Sequence, residues 1–144
     1  MTQPATTTAH ATSIAHLNPE GMARNLAFSQ GIAVTGPHRV VYIGGKNAVE
    51  AAGTVVGKGD LGAQTRQIFH NLKTVLAAAD ARLEHVVRWT IHVVQGQPLG
   101  PAFEVFRAEW GHRPNPPTIT MVYVAGLAHP DYLCELDAIA VVPT

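Results

Sequence analysis

Nine residues, Val86 to Val94, place Val87, Trp89, Ile91 and Val93 at alternate positions, with Arg88, Thr90 and His92 between them. Such alternation predicts a sheet strand, and its fully apolar side must be covered by something else. The cover stands nearby in the chain. Between Leu61 and Ala81, the residues Ile68, Leu72, Val75, Leu76 and Ala79 recur at three- and four-residue spacing, which predicts a helix with one apolar stripe. Asp60 occupies the position of its N-cap. A shorter stripe, Ala102, Phe103, Phe106 and Trp110, follows Pro101 and closes at Gly111, predicting a second helix.

The remaining strands are read from apolar runs between turn residues. Phe28 to Val34 and Val40 to Ile43 flank Gly36-Pro37-His38 and predict a β-hairpin. Thr54 to Val56 is a short strand within a glycine-rich loop. Ile119 to Val124 and Tyr132 to Val142 are strands separated by Gly126 to Asp131. Residues 1–15 show no periodicity and are read as a flexible N-terminal tail. Residues 16–144 form one domain of the α+β class, with both helices on one face of a mixed sheet. The other face is then bare, and a second subunit is the simplest way to bury it. Charged residues make up only 14% of the chain, well below the usual quarter or so, which points the same way.

Charge also narrows the function. Ten basic residues balance ten acidic ones, so the chain lacks the electrostatic footprint of a nucleic-acid or anionic-membrane binder. No apolar run reaches the 18 or so residues of a membrane span, and the N-terminus lacks the pattern of a secretory signal. A cytoplasmic protein is expected. Cys134 stands alone, which rules out an intrachain disulfide. The eight histidines show no ligand spacing, so no metal site is expected. Gly57-Lys58-Gly59-Asp60-Leu61-Gly62 matches a dinucleotide fingerprint, but the strand before it is too short for that unit. Glycines serving a turn before a capped helix explain the match.

The most informative pair is Glu135 and Asp137. Two residues apart on one strand, they point to one face, which they share with Leu133, Ile139 and Val141. Carboxylates in the middle of an apolar strand face need a partner or a task. Either they make an ion pair or hydrogen bond at an interface, or one acts as an acid or base through a water.

Several segments, in order, resemble the RidA (YjgF/YER057c/UK114) family. They are Asn18-Pro19-Glu20-Gly21, Phe28-Ser29-Gln30, Val41-Tyr42-Ile43-Gly44-Gly45-Lys46, Gly59-Asp60, Gln64 to Leu72, and Glu135-Leu136-Asp137-Ala138-Ile139-Ala140. The resemblance implies a chorismate-mutase-like α+β fold and a homotrimer whose sheets form a central barrel. It also implies clefts between subunits that bind a small molecule. The best-known activity of that family is cofactor-free hydrolysis of enamines and imines to a carbonyl compound and ammonia. Glu135 aligns with the family's active-site glutamate and is the expected catalytic residue. Phe28 replaces the usual tyrosine. The family's substrate-gripping arginine, in Pro-x-Arg-Ser/Thr, reads Pro117-Thr118-Ile119-Thr120 here, and its usual cysteine is Met121. Phe28, Ile119, Thr120, Met121 and Arg88 are therefore the expected substrate-binding set. Isoleucine cannot grip a carboxylate, although Arg88, Arg113 or Lys46 is available to replace the arginine from another direction. The implied function is a divergent enamine or imine deaminase whose substrate differs from the standard 2-imino acids. The alternative is a homotrimer of the same family that binds or regulates without catalysis.

Overall fold

The computed structural model describes residues 11–144. Nine ladder and helix elements follow one another: β1 (Ser13–Leu17), β2 (Gly31–Thr35), β3 (His38–Lys46), α1 (Leu61–Ala78), a one-turn 3-10 helix (Leu83–His85), β4 (Val86–Val94), α2 (Gly100–Trp110), β5 (Thr118–Val124) and β6 (Cys134–Pro143). The main sheet has the order β3-β6-β4-β5. β6 is antiparallel to both neighbours, and β4 and β5 run parallel, joined across the sheet by α2. The mixed sheet and two helices are the expected α+β architecture.

The helices form where the sequence places them. Asp60 caps α1, its carboxylate accepting from the Ala63 amide at 2.9 Å. Gly57 and Gly59 enter that cap with φ of +63° and +73°, a conformation that suits glycine. Helix α1 ends at Ala78 rather than Ala81, because the chain turns through Asp80 at φ +51°. α2 stops at Gly111, whose amide donates to the Arg107 carbonyl.

One core lies between the helices and the sheet. Ile68, Phe69, Leu72 and Leu76 of α1 pack on Ile43, Trp89, Val93, Leu136, Ala138 and Ala140. Phe69, Trp89 and Phe106 meet edge-on in a ring of three, with centroids 5.2–5.8 Å apart. Gln64 is fully buried and still satisfied: its amide donates to the Asp131 carbonyl at 2.8 Å and accepts from the Leu133 amide at 2.9 Å. It thereby ties the loop before β6 to α1.

Four expectations are corrected. The hairpin of Phe28–Val34 with Val40–Ile43 does not form. β2 instead pairs antiparallel with β1 in a separate two-stranded sheet, and β3 pairs with β6. The apolar side of β3 gains more against Ala138, Ala140 and Val142, and Gly36-Pro37 carries the chain from one sheet to the other. Second, the expected tail boundary is too late: Ser13–Ala15 belong to β1, held by the β2 ladder. The tail reading of residues 1–10 lies outside the described residues. Third, a bulge between Val86 and Arg88 places Val86, not Val87, on the buried side of β4. Fourth, β6 begins at Cys134, since Tyr132 is still in a turn closed by its amide on the His129 carbonyl.

Candidate functional site

The two faces of the main sheet carry different chemistry. On β6, Cys134, Leu136, Ala138 and Ala140 are buried toward the helices, while Glu135, Asp137 and Ile139 alternate with them and are half-buried. On β4 the same alternation sends Trp89 and Val93 to the helix side and Arg88, Thr90 and His92 to the other. Register then sets neighbours on the uncovered face: Thr90 stands opposite Asp137, and His92 opposite Glu135. Val40, Tyr42 and Val122 are apolar or aromatic and exposed. By alternation they belong to this same face, Val40 opposite Val141, Tyr42 opposite Ile139, and Val122 opposite His92.

Glu135 is held in place by a side chain that its own strand does not supply. Asn47 Nδ2 donates to Glu135 Oε2 at 3.1 Å and to the Cys134 carbonyl at 3.4 Å. Asn47 is in turn fixed by Asn71, whose side-chain amide donates to the Asn47 and Val49 carbonyls at 3.0 and 2.8 Å. Gln67 completes the chain by donating to Asn71 Oδ1 at 2.9 Å. Gly45 allows the close approach: a Cβ there would lie 2.4 Å from Glu135 Oε1 and 2.6 Å from its Cδ. The β3–β6 register slips between Ile43 and Lys46, and Gly45 sits in that irregular stretch.

On the helix side, a cavity of about 690 Å³ opens between α2, β5 and the segment before β2. Phe28, Ile119 and Met121 line it with Ile91, Phe103 and Phe106, and Glu104 and Arg107 of α2 also border it. Buried Ser29 fixes Phe28 beside the start of β5. Its amide donates to the Pro117 carbonyl at 3.1 Å, and its hydroxyl donates to the Pro116 carbonyl at 2.6 Å. The Ser29 oxygen therefore accepts from His16 Nδ1 at 2.8 Å, a link from β1 into the site. A narrow recess of about 40 Å³ continues behind Met121 to the chain at Cys134 and Glu135.

Of the expected residues, the structure brings Phe28, Ile119 and Met121 together. Arg88 and Thr120 fall on the opposite face, exposed, and Glu135 also points there. Among the cations considered as substitutes, Arg113 is engaged at the end of α2, donating to the Glu109 and Trp110 carbonyls at 3.0 and 2.7 Å. Lys46 borders a different, open cavity of about 800 Å³ with Gln67, His70 and Asn71. Sequence reasoning missed Arg107, Phe103 and Phe106 as lining residues. The aromatic pair reads as core stripe, and only the position of β5 shows that half of Phe103 remains exposed. It also missed Asn47 and Asn71, which carry no spacing signal. Cys134 is buried, and burial pushes its thiol up to about 11, against a smaller opposing effect of the Thr65 hydroxyl. A thiol held protonated in this way is a poor nucleophile. Among the described residues, no group of three or more His, Cys, Asp or Glu side chains is placed to hold a metal ion. No described helix is long and apolar enough to cross a membrane.

Comparison with known proteins adds the relatives. The sequence model of the Endoribonuclease L-PSP family matches residues 21–142. A RutC family protein of Pyrococcus horikoshii is 30% identical over 69% of this chain and 77% of its own. The protein DfrA of Myxococcus xanthus is 31% identical over 79% of this chain and 84% of its own. Among solved structures, a protein of the conserved Rid family from Yersinia pestis, itself titled as of unknown function, is 33% identical. It superposes with a TM-score of 0.78 over 90% of this chain and 98% of that one. A YjgF/YER057c/UK114 member from Mycobacterium tuberculosis, 29% identical, gives 0.61 over 79% of this chain and 86% of that one.

Proposed function

Since the chain belongs to the RidA family, the YjgF/YER057c/UK114 group whose sequence model carries the L-PSP name, we propose that it hydrolyses C=N bonds without a cofactor. Its substrate is an enamine or imine lacking the carboxylate of the standard 2-imino acids. The observation that carries the reading is Glu135: a carboxylate in the middle of an apolar strand, aimed away from the core and held by Asn47 at 3.1 Å. Such a group takes a proton from water as the water oxygen attacks the imine carbon. The C–N bond then breaks, nitrogen leaves as ammonia, and the carbon becomes a carbonyl. An enamine reaches the same path after protonation at carbon.

Glu135 and the Phe28–Ile119–Met121 cavity lie on opposite faces of one sheet. A homotrimer in which the uncovered face of one subunit meets the cavity side of the next would unite them, placing the ligand between subunits. Val40, Tyr42 and Val122 on that face support such a contact. The cavity favours an apolar substituent on the substrate, with Phe28, Phe103 and Phe106 as its aromatic walls. The family model's name denotes an endoribonuclease, but the balanced charge of this chain supports a small molecule over a phosphate backbone. Ile119 also supports a second reading, a trimer that binds a metabolite in this cleft without turning it over.

Two probes separate the readings. Benzophenone imine is neutral and aromatic, whereas a 2-imino acid generated in situ from alanine carries the carboxylate. Ammonia release is expected from the first. Turnover of the second would make Arg107 the cation that receives the carboxylate, and silence with both would favour the binding trimer. Ile119→Arg is expected to raise kcat/KM for the imino acid by about tenfold or more, since a desolvated charge pair is worth about 2–5 kcal/mol when one partner is removed. An unchanged kcat/KM would count against Ile119 as the specificity position. Gly45→Ala is expected to push the Glu135 carboxylate off Asn47 and lower turnover by about 10²-fold, the scale of a misplacement near 1 Å. The melting temperature should change little, because the displaced group is the end of a flexible side chain.

A further inference from the structure

Among the described residues, His92 is a polar group beside Glu135 that the proposed reaction leaves without a task. The antiparallel register sets the two residues directly opposite each other on β4 and β6, on the face the helices leave uncovered. Side chains so paired stand close enough to share one bound molecule. The Nδ1 atom of His92 is sealed from solvent and has no hydrogen-bond partner among the described residues. Buried polar atoms in native proteins are normally satisfied, and an exception calls for an explanation. On its other side His92 faces Val122 of β5. The titratable and charged groups near it on this face are Glu135 and Asp137 of β6 and Arg88 on its own strand.

We propose that His92 is the acid that completes the site, delivering a proton to the departing nitrogen while Glu135 takes one from the attacking water. The proposal rests on the C=N hydrolase reading. It balances for a C=NH group: the water oxygen bonds to carbon, one water proton goes to Glu135, and the His92 proton goes to nitrogen, giving a carbinolamine. Glu135 passes its proton to His92, directly or through a water. Glu135 then takes the carbinolamine hydroxyl proton while His92 protonates the amine, and the C–N bond breaks with its electron pair on ammonia as the carbonyl forms. A second proton return from Glu135 to His92 resets the site.

The test is ammonia release from benzophenone imine as a function of pH, by the full-length protein and by His92→Gln, His92→Phe and Glu135→Gln. The wild-type rate should fall on the alkaline side as His92 loses its proton. His92→Gln should be slower by about 10²-fold, with that alkaline limb flattened, a change in profile that a packing role would not cause. His92→Phe fills the same space without a proton and should match His92→Gln, which guards against a folding defect in either variant. If both His92 variants keep the wild-type rate and profile while Glu135→Gln is inactive, the His92 assignment is overturned and the hydrolase reading stands. If Glu135→Gln retains full activity, or the wild type releases no ammonia, the hydrolase reading itself fails and His92 falls with it.

Discussion

Glu135→Gln is expected to cut ammonia release by about 10²- to 10⁴-fold, the range supplied by a positioned general base. The change is isosteric. Asn47 still finds an oxygen to donate to, and the cross-strand neighbours of position 135 are unaltered. Thermal stability and oligomer size should therefore match the wild type, so the loss reports chemistry and not folding. Undiminished ammonia release in the variant would remove Glu135 from the reaction. Calorimetric titration of the same variant adds a second measure. Retained binding of benzophenone imine without turnover would confirm that the carboxylate acts on the reacting atoms and is not needed to hold the ligand.

Trp89→Ala is expected to destabilise the subunit by about 3–5 kcal/mol, the range for removing a large aromatic from a packed core. Trp89 is wholly inaccessible and joins β4 to both helices through Phe69 and Phe106, at 5.8 and 5.7 Å. In a domain of this size such a loss corresponds to a fall in Tm of about 10 °C or more. The indole N–H is buried with no hydrogen-bond partner among the described residues. Trp89→Phe therefore removes an unsatisfied donor along with part of the ring, and should cost much less than the alanine variant. Differential scanning calorimetry of the two variants checks the order. A Trp89→Phe variant as unstable as Trp89→Ala would show that ring size, and not edge-on packing, holds the three-aromatic cluster together.

Local signals in the chain carried much of this fold. Alternation over Val86–Val94 and helical spacing over Ile68–Leu76 each depend on a few consecutive residues, and both elements stand where those patterns place them. Asp60 caps α1 because a carboxylate three residues before an orphan amide reaches it whatever the rest of the chain does. The alternation of Glu135 and Asp137 with buried neighbours is equally local.

Strand pairing was not legible in this way. The likeliest partner by sequence distance for β2 was β3, yet β2 took β1 and β3 took β6, some 90 residues on. Backbone hydrogen bonds are the same for any pair of strands, so the choice rests on which apolar faces meet under the helices. The same holds for the site. Asn47, Asn71 and Gly45 act on Glu135 only because the β3–β6 register brings them to it. Phe28 meets Ile119 only because Ser29 is tied to Pro116 and Pro117. The sequence by itself determined which residues carry charge, which faces are apolar and where the helices begin. The tertiary structure alone decided which of those residues stand together, because contacts between distant segments depend on the closure of the whole sheet and leave no periodic trace in the chain.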